Sequence, residues 1–377
     1  MTGKERIAAA FRHESVDCVP LFEQSVASSV ASALLGREAH TGTTVLHRDC
    51  AEASTRGRTA YDEFVERVLD DNVALADLLG HDAVSVPWML PYEPTRKLDE
   101  LNYLTGDPDK GPWRIRRYDP ASQSFGVAKC GGLPETEADL EREVAAQERR
   151  VAEAGPATAA DFPLQQKMLD RVGDRLEVVG VGGLQIPLEP LWLEMTLLRP
   201  DLVERWLDAG VTSVCRLMEA QAAMGLRVIW GGYDLADNNG PIYGPKVFRN
   251  LVLPRLQQIT RRADELGLWF LFRSDGKLWS IADDFFEASG IHGYGEIDID
   301  AGMDLLEVRR RYPRVTLWGG ISCGRLLRLG TPDEVRAETR RVVDGLAGIG
   351  HIFGSSNSIL HGTPPENVLA MTDEARR

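Results

Sequence analysis

The 377-residue sequence has few cysteines and no hydrophobic run that approaches the length of a membrane span. Its five cysteines (Cys18, Cys50, Cys130, Cys215, Cys323) are scattered, and none forms a Cys-x-x-Cys pair, so they do not indicate a disulfide framework. The first residues, MTGKERIAAAFRHE, contain no apolar core of signal-peptide length. We therefore expect a protein of a reducing, cytoplasmic compartment without a membrane partner.

The chain has fewer basic than acidic residues. The chain carries 43 Lys and Arg against 57 Asp and Glu, a formal net charge of −14, and its isoelectric point is about 5.1. This balance argues against nucleic acid as the main partner, because phosphate binding needs a basic face. Two nucleotide-binding motifs are also missing. No Gly-x-Gly-x-x-Gly opens a helix after a predicted strand, and no phosphate-binding loop ends in Gly-Lys-Ser or Gly-Lys-Thr.

Short apolar runs alternate with helical patterns along the chain. Eight runs predict strands, near residues 19, 83, 177, 228, 268, 293, 315 and 351. Strands that alternate with helices predict a parallel sheet, and eight such units predict an α/β barrel of the (β/α)8 type. An open, doubly wound sheet is the alternative. We expect one barrel domain over residues 1–377, with helices and a β-hairpin inserted at about residues 89–170.

The stretch LWFLFRSDGKLWSIADDFF, residues 268–286, combines a buried strand with a charged turn. Five apolar residues end at Phe272, Arg273-Ser274-Asp275-Gly276-Lys277 follows, and apolar residues then return at helical spacing. Catalytic residues of an α/β barrel lie at this kind of junction. The charges either form a solvated turn with a local ion pair, or Arg273 and Asp275 face a pocket.

Polar side chains also follow the other predicted strands. The predicted catalytic residues are Arg273, Asp275 and Glu296, and the predicted substrate contacts are Glu23, Trp88, Asp234, Asn238, Asn239, Lys277, Cys323, Ser355, Asn357 and His361. We expect Arg273, Asp275, Asn239 and Glu296 to line one cavity. Arginine offers a fixed fork for a carboxylate, phosphate or phenolate. Asp275 or Glu296 could protonate a leaving group if burial raises its pKa.

Several of these residues also have a structural interpretation. Asp234 and Asn239 could cap the helix that begins near Pro245. Cys323 could be a small buried apolar residue, and His361 could lie on the surface. The backbone amides of Gly354-Ser355-Ser356-Asn357 could in turn hold an anion at the final strand end.

The C-terminal half resembles the uroporphyrinogen decarboxylase superfamily, which contains the decarboxylase proper and a branch of cobamide- and thiol-linked methyltransferases. The matching segments are GGYDLADNNGPIYGPKVF, LWFLFRSDGKLWSIADDFFEASGI, AGMDLLEVRRRYP, LWGGISCGRLLRLGTPDEVRAETR and GSSNSILHGTPPENVLAM, within about residues 228–371. The opening TGKERIAAAFRHESVDCVPLF resembles the methyltransferase branch, whereas residues 25–175 match weakly. The resemblance implies an α/β barrel with its site at the C-terminal mouth, and a dimer.

The chain departs from both branches at their functional motifs. Where the decarboxylase carries an arginine-rich motif after its first strand, this chain has Leu21-Phe22-Glu23-Gln24-Ser25, so uroporphyrinogen is not the expected substrate. The zinc-dependent methyltransferases carry a His-x-Cys motif and a late cysteine. The matching positions here are Arg273, Ser274 and Asp275, with Cys323 as the late cysteine. Arginine cannot ligate zinc, because it stays protonated, so we expect no metal.

Three functions remain open from the sequence. The favoured one is methyl transfer from a small O- or N-methylated molecule to a corrinoid (cobalamin) or tetrahydrofolate acceptor, with neither a catalytic zinc nor a tightly bound cofactor. The second is decarboxylation or a related lyase step on a carboxylated molecule oriented by Arg273. The third is a non-catalytic binder. The expected partners are an anionic small-molecule substrate, a corrinoid protein and a second copy of the chain.

Overall fold

The computed structural model describes residues 1–377 and contains eleven strands in two sheets. The strands are β1 (Ala83–Ser85), β2 (Thr95–Lys97), β3 (Asn102–Gly106), β4 (Trp113–Asp119), β5 (Ser124–Gly131), β6 (Glu177–Val181), β7 (Val228–Gly232), β8 (Trp269–Arg273), β9 (Gly293–Gly295), β10 (Thr316–Ile321) and β11 (His351–Ser355). Seven of them form a parallel sheet in the order β1-β6-β7-β8-β9-β10-β11. Sequential order with parallel pairing is the arrangement of a barrel, in which helices connect neighbouring strands.

Fourteen α-helices surround and extend this sheet. They are α1 (Gly3–Phe11), α2 (Ser28–Leu35), α3 (Thr43–Thr55), α4 (Arg58–Leu79), α5 (Glu137–Glu153), α6 (Pro163–Val172), α7 (Pro190–Leu198), α8 (Pro200–Ala223), α9 (Gly244–Val247), α10 (Leu253–Leu266), α11 (Leu305–Arg311), α12 (Leu326–Leu329), α13 (Pro332–Leu346) and α14 (Pro365–Ala375). None of them combines the length and the apolar character that crossing a bilayer requires.

Residues 20–22, which we call the closing segment, join the two edges of the parallel sheet. Leu21 forms a parallel bridge with Phe353 of β11. The Phe22 N–H donates to the Phe353 carbonyl at 3.0 Å, and the Phe353 N–H donates to the Pro20 carbonyl at 2.8 Å. On the other side, the Asp82 N–H donates to the Leu21 carbonyl at 2.8 Å. With this segment, eight parallel stretches enclose the barrel, which confirms the eight predicted strand positions.

The barrel interior is filled with side chains. Trp318 of β10 is fully buried and donates its indole N–H to the Phe22 carbonyl at 2.8 Å. A Cβ atom at Gly295 would lie 2.1 Å from the Trp318 ring, so only glycine fits beside the indole. Ile7 and Phe11 of α1 belong to the same apolar cluster. Because the interior is packed, chemistry is restricted to the end of the barrel, as in other (β/α)8 folds.

The predicted hairpin is part of a larger antiparallel sheet between β1 and β6. Strands β4 and β5 pair with a register shift between Ile115 and Arg116. They are joined by β2 and β3 in the order β2-β3-β4-β5. These two further strands were not predicted, since residues 95–106 lack a clear apolar alternation. Helix α5 follows the sheet and begins with a capping box between Thr136 and Asp139.

Candidate active site

Arg273 connects the C-terminal ends of three neighbouring strands. Leu271, two residues earlier in β8, belongs to the cluster inside the barrel, so alternation along the strand places Arg273 on the inner side as well. Its Nε lies 3.4 Å from Oε2 of Glu296, which follows β9. Its Nη2 lies 3.2 Å from Oδ1 of Asp234, which follows β7. The arginine therefore lies between two carboxyl groups at the barrel mouth.

Asp275 is held from the opposite side of the barrel by Asn357. The Asn357 side-chain amide donates to Oδ1 and Oδ2 of Asp275, at 2.9 and 2.8 Å. The Asn357 Oδ1 accepts from the side chain of Gln24, at 2.8 Å, and from the backbone N–H of Ser358, at 2.5 Å. Residues that follow β8, β11 and the closing segment thus form one hydrogen-bonded group.

Glu23 is a buried carboxyl group bound to the last barrel strand. Its Oε1 accepts from the Ser355 N–H at 2.8 Å, and its Oε2 lies 2.5 Å from the Ser355 hydroxyl. That hydroxyl also contacts the Asn357 carbonyl, and its single proton cannot serve both acceptors. Burial raises the pKa of Glu23 to about 8, against the opposing hydrogen bonds from Ser355. If Glu23 is protonated and donates to the Ser355 hydroxyl, that hydroxyl can donate to the Asn357 carbonyl, and each polar atom has a hydrogen-bond partner.

Burial also shifts the two carboxyl groups beside Arg273. It raises the pKa of Glu296 well above the usual value; the Arg273 charge opposes this shift and the Asp275 charge reinforces it. The pKa of Asp275 is raised mainly by burial, and the hydrogen bond with Glu296 opposes that rise. A carboxyl group that keeps its proton near neutral pH can act as a general acid. The arrangement therefore supplies a proton next to a fixed cation.

Cys323 lies near this group but has no features of a nucleophile. It is buried, its N–H donates to the Ser356 hydroxyl at 3.3 Å, and its sulfur lies 3.7 Å from the same hydroxyl. Burial raises the pKa of the Cys323 thiol to about 11, so the thiolate is not formed at neutral pH.

Several residues predicted for the site lie outside this group. Asn238 and Asn239 occupy an exposed turn, because the Asp237 carboxylate accepts the backbone N–H groups of Asn239 and Gly240 and folds the chain back locally. Asn239 bonds to Asp237 and makes no hydrogen bond to Arg273, Asp275 or Glu296, so it lies outside this group. The alternative role of Asp234 and Asn239 as helix caps is not seen either, since α9 begins without a side-chain cap.

Three other predicted contacts are peripheral. Trp88 is 79% exposed and packs edge-on against His47. Lys277 is exposed, and its backbone N–H donates to the Asp237 carbonyl. His361 is half-buried, and its Nδ1 lies 2.8 Å from the Ser29 hydroxyl. No hydrogen bond or ion pair joins any of these three side chains to Arg273, Asp275 or Glu296.

Gln24 was missed as a site residue, although it orients Asn357. It follows the closing segment just as Glu23 does, so the rule that functional residues follow barrel strands could have identified it. Asp298, two residues after Glu296, was also left out of the predicted site. Its carboxylate accepts the Gly276 N–H at 3.3 Å and the Ala301 N–H at 3.0 Å, and so braces the turn that carries Asp275.

No residue of the hydrogen-bonded group lines either of two surface cavities. One, of about 470 Å³, is lined by Gln185, Pro187, Leu188, Glu189 and Trp206. The other, of about 570 Å³, lies between α3 and the antiparallel sheet and is lined in part by Ser54, Thr95 and Asp107.

The residues that stand in place of the His-x-Cys motif and the late cysteine of the zinc-dependent methyltransferases do not fit a zinc ion. Arg273 offers only N–H donors. Both oxygens of Asp275 accept from Asn357, and the Cys323 thiol is held neutral by burial. No group of three or more His, Cys, Asp and Glu side chains is arranged to hold a metal ion. A zinc site needs several deprotonated ligands in tetrahedral arrangement, and this set lacks them.

Comparison with known proteins agrees with this architecture. Residues 190–377 match the family model described as uroporphyrinogen decarboxylase (URO-D). A uroporphyrinogen decarboxylase of Paraburkholderia phytofirmans is 30% identical over 195 residues, which are 48% of this chain and 49% of that protein. One of Burkholderia mallei is 29% identical over 247 residues, which are 60% and 64% of the two chains. The chain thus spans between about half and two thirds of these relatives.

A solved structure extends the likeness to the whole chain. The structure described as a methyltransferase from Methanosarcina mazei covers 100% of this chain and 98% of its own, with a TM-score of 0.66 and 20% sequence identity. At that identity the match establishes the fold, and it includes the N-terminal half that the family model leaves unmatched. The C-terminal half of the chain, residues 190–377, thus belongs to the uroporphyrinogen decarboxylase family, and the likeness in fold extends over the whole chain.

Proposed function

We propose that this protein is a methyltransferase that moves a methyl group from a small O- or N-methylated molecule to an external corrinoid or folate acceptor. The observation that carries the proposal is Glu296, a fully buried carboxyl group whose pKa is well above the usual value and whose Oε2 faces the Arg273 guanidinium. Demethylation of an ether leaves an oxygen that must be protonated, and this pair provides both the proton and a stabilising charge.

The chemistry balances with the residues described. The nucleophilic atom of the acceptor supplies the electron pair of the new bond to the methyl carbon. The bond between that carbon and the substrate oxygen breaks, and the oxygen keeps its electron pair. Glu296 gives its proton to that oxygen, and Arg273 stabilises the negative charge that develops on it. An anionic group elsewhere on the substrate would have to displace Asp234 from Arg273, which is feasible because the Asp234 side chain is about half exposed.

The fold likeness supports methyl transfer as the reaction class. The solved structure that aligns over the full chain is described as a methyltransferase. The N-terminal TGKERIAAAFRHESVDCVPLF resembles the same branch, and its end forms the closing segment beside Glu23. The acceptor is proposed to reach the mouth from outside, carried by a separate corrinoid protein or as free tetrahydrofolate.

A carboxy-lyase is the second candidate. The matching curated relatives are named uroporphyrinogen decarboxylase, and Arg273 could orient a substrate carboxylate. Loss of carbon dioxide also requires a proton to replace the carboxyl group, which Glu296 could give. Asp234 and Asp275 balance the single arginine, so this mouth suits a substrate with one anionic group better than one with several carboxylates.

The test is a pair of substrate panels. Methylated aromatic ethers and amines are incubated with the protein and cob(I)alamin, and methylcobalamin is followed by absorbance. Carboxylated compounds are incubated in parallel, and carbon dioxide release is followed. Methylcobalamin formation that depends on Glu296 and not on the exposed Glu287 would support the proposal. Carbon dioxide release without methylcobalamin formation would contradict methyl transfer and support the carboxy-lyase. No product in either panel would favour the non-catalytic binder.

A further inference from the structure

We propose that Asp275 and Glu296 act as a pair that shares one proton, and that Asn357, oriented by Gln24, places that proton on Glu296. This deepens the proposed function, because it identifies the proton donor and two residues that position it. Its test does not require any catalytic activity.

The orientation of the Asn357 amide is fixed by its surroundings. The Ser358 N–H needs an acceptor, and Asn357 Oδ1 lies 2.5 Å from it. The same oxygen accepts from Gln24 Nε2, at 2.8 Å. Since the oxygen end is occupied by these two donors, the NH₂ end must face Asp275, whose two oxygens lie 2.9 and 2.8 Å away. An NH₂ group only donates, so it favours the ionised form of Asp275.

Glu296 has the opposite environment. Its side chain is fully buried, and Oε1 has no hydrogen-bond donor. Its other oxygen has only the long contact of 3.4 Å with Arg273 Nε. Asp275 is its neighbour, because the Ser274 N–H donates to the Gly295 carbonyl at 2.9 Å and so brings the residues that follow, Asp275 and Glu296, together. Interaction between the two carboxyl groups lowers the pKa of Asp275 and raises that of Glu296. Two carboxyl oxygens can bond to each other only through a proton. Because Asp275 already accepts from Asn357, the proton belongs to Glu296.

The charges around the pair favour one negative charge on it in place of two. The titratable groups that face the pair are Arg273 of β8, Asp234 after β7, Asp298 and Tyr294 around β9, and Cys323 with Glu23 on the far side. The Arg273 charge lowers the pKa of both carboxyl groups. The Asp234 charge raises the pKa of both, and the Asp298 charge raises that of Asp275. Because Arg273 is the one cation among these groups and the other charges are negative, the pair is more stable with one negative charge than with two.

This arrangement gives the two carboxyl groups different roles. Glu296 donates its proton to the leaving oxygen, and Asp275 stays ionised throughout. The pair then carries two negative charges, and a proton taken from solvent restores the initial state. Separation of two neighbouring pKa values by unequal hydrogen bonding is a general route to an acid and a base in one site.

The test is an infrared titration of protonated carboxyl groups in the full-length protein. The carbonyl stretch of a protonated carboxyl is separate from that of a carboxylate, so difference spectra against pH count the buried acids. At neutral pH, Glu296→Gln should remove one protonated carboxyl band. Glu23→Gln should remove a second, distinct band and serves as the matched control, because Glu23 is buried but does not contact Asp275.

The positioning residues have their own expected result. Asn357→Leu should raise the pH at which the pair takes up its second proton by about one unit or more, because Asp275 loses its donor. Gln24→Met keeps Asn357 but removes the hydrogen bond that orients its amide. It should raise the pH of the second proton uptake by a smaller amount. It also keeps the test open if Asn357→Leu does not fold, which thermal melting would reveal.

Two outcomes would overturn the inference. One is a Glu296→Gln spectrum that still contains every protonated band of the unmodified protein. The other is a titration of folded Asn357→Leu or Gln24→Met that coincides with that of the unmodified protein. The expected titration together with no methyl transfer would leave the inference standing and remove only the proposed function.

Discussion

Arg273 and Glu296 meet across the ends of β8 and β9, with the arginine Nε 3.4 Å from the glutamate Oε2. Since Glu296 is the proposed proton donor, Glu296→Gln should lower kcat by about 100-fold or more and leave KM within a few-fold, because the amide keeps the shape of the acid but cannot give its proton. Steady-state kinetics with the methylated substrate found in the panel checks this. The exposed Glu287→Gln is the control, and equal effects of the two changes would contradict the assignment.

Substrate binding should depend on Arg273. Removal of its guanidinium in Arg273→Ala should raise KM by roughly 10- to 100-fold, since hydrogen bonds to charged groups contribute about 1.5–3 kcal/mol. It should also lower kcat, because the negative charge that develops on the leaving oxygen loses its cation. The matched control is Arg249→Ala, which breaks an exposed ion pair with Asp284 and also removes one positive charge. An unchanged KM in Arg273→Ala would mean that the arginine serves Asp234 and Glu296 alone.

Glu23 should make stability depend on pH. The folded protein holds its proton up to a pKa of about 8, whereas the unfolded chain releases it near 4.5. Its contribution is therefore complete below about pH 4.5 and is lost as the pH rises to about 8. Relative to Glu23→Gln, the unmodified protein should lose on the order of a few kcal/mol in free energy of unfolding across this range. Urea unfolding at several pH values measures the difference, and parallel curves would show that Glu23 is already ionised.

Gly295 should tolerate no side chain. A Cβ atom there would lie 2.1 Å from Cε3 of Trp318, which is itself fully buried. Gly295→Ala should therefore reduce the free energy of unfolding by about 1–3 kcal/mol, a typical effect of overpacking a core. Gly126→Ala in β5 is the control, because its Cβ would have no atom within 4 Å. Equal stability of the two variants in chemical unfolding would show that the barrel interior can rearrange around Trp318.

Protein purified without chelators should contain well under one zinc ion per chain. The reason is the donor set, in which Arg273 replaces a ligand and the Cys323 thiol is kept neutral by burial. Elemental analysis by mass spectrometry provides the measurement. Stoichiometric zinc that disappears in Cys323→Ser would show that the thiol is a ligand after all.

The fold was predictable because a buried parallel strand has a strong local pattern. Each of the eight barrel positions is a short apolar run, and even the closing segment, which forms only a single bridge, appears as Val19 to Phe22. The extra strands β2 and β3 were not predicted. The three buried residues of β3 (Tyr103, Leu104 and Thr105) are too few to form an apolar run, and β2 is polar and largely exposed at the edge of its sheet. A strand at a sheet edge has no comparable pattern in the sequence.

The site was predictable only in part. The rule that functional residues follow barrel strands correctly brought Arg273, Asp234 and Glu296 together. Asn239 does not join them by a hydrogen bond, because the carboxylate of Asp237 accepts the backbone N–H groups of Asn239 and Gly240 and forms a local turn. Nothing local in the sequence indicates the contact of Asn357 with Asp275, which joins residues 82 positions apart.

The two residues that follow the closing segment join the hydrogen-bonded group to a distant part of the polypeptide. Glu23 bonds to Ser355, 332 positions later, and Gln24 bonds to Asn357, 333 positions later. During translation, Glu23 and Gln24 leave the ribosome long before their partners are synthesised. A nascent chain therefore cannot assemble this proton-donating group, and any activity that depends on it begins only when the barrel has closed.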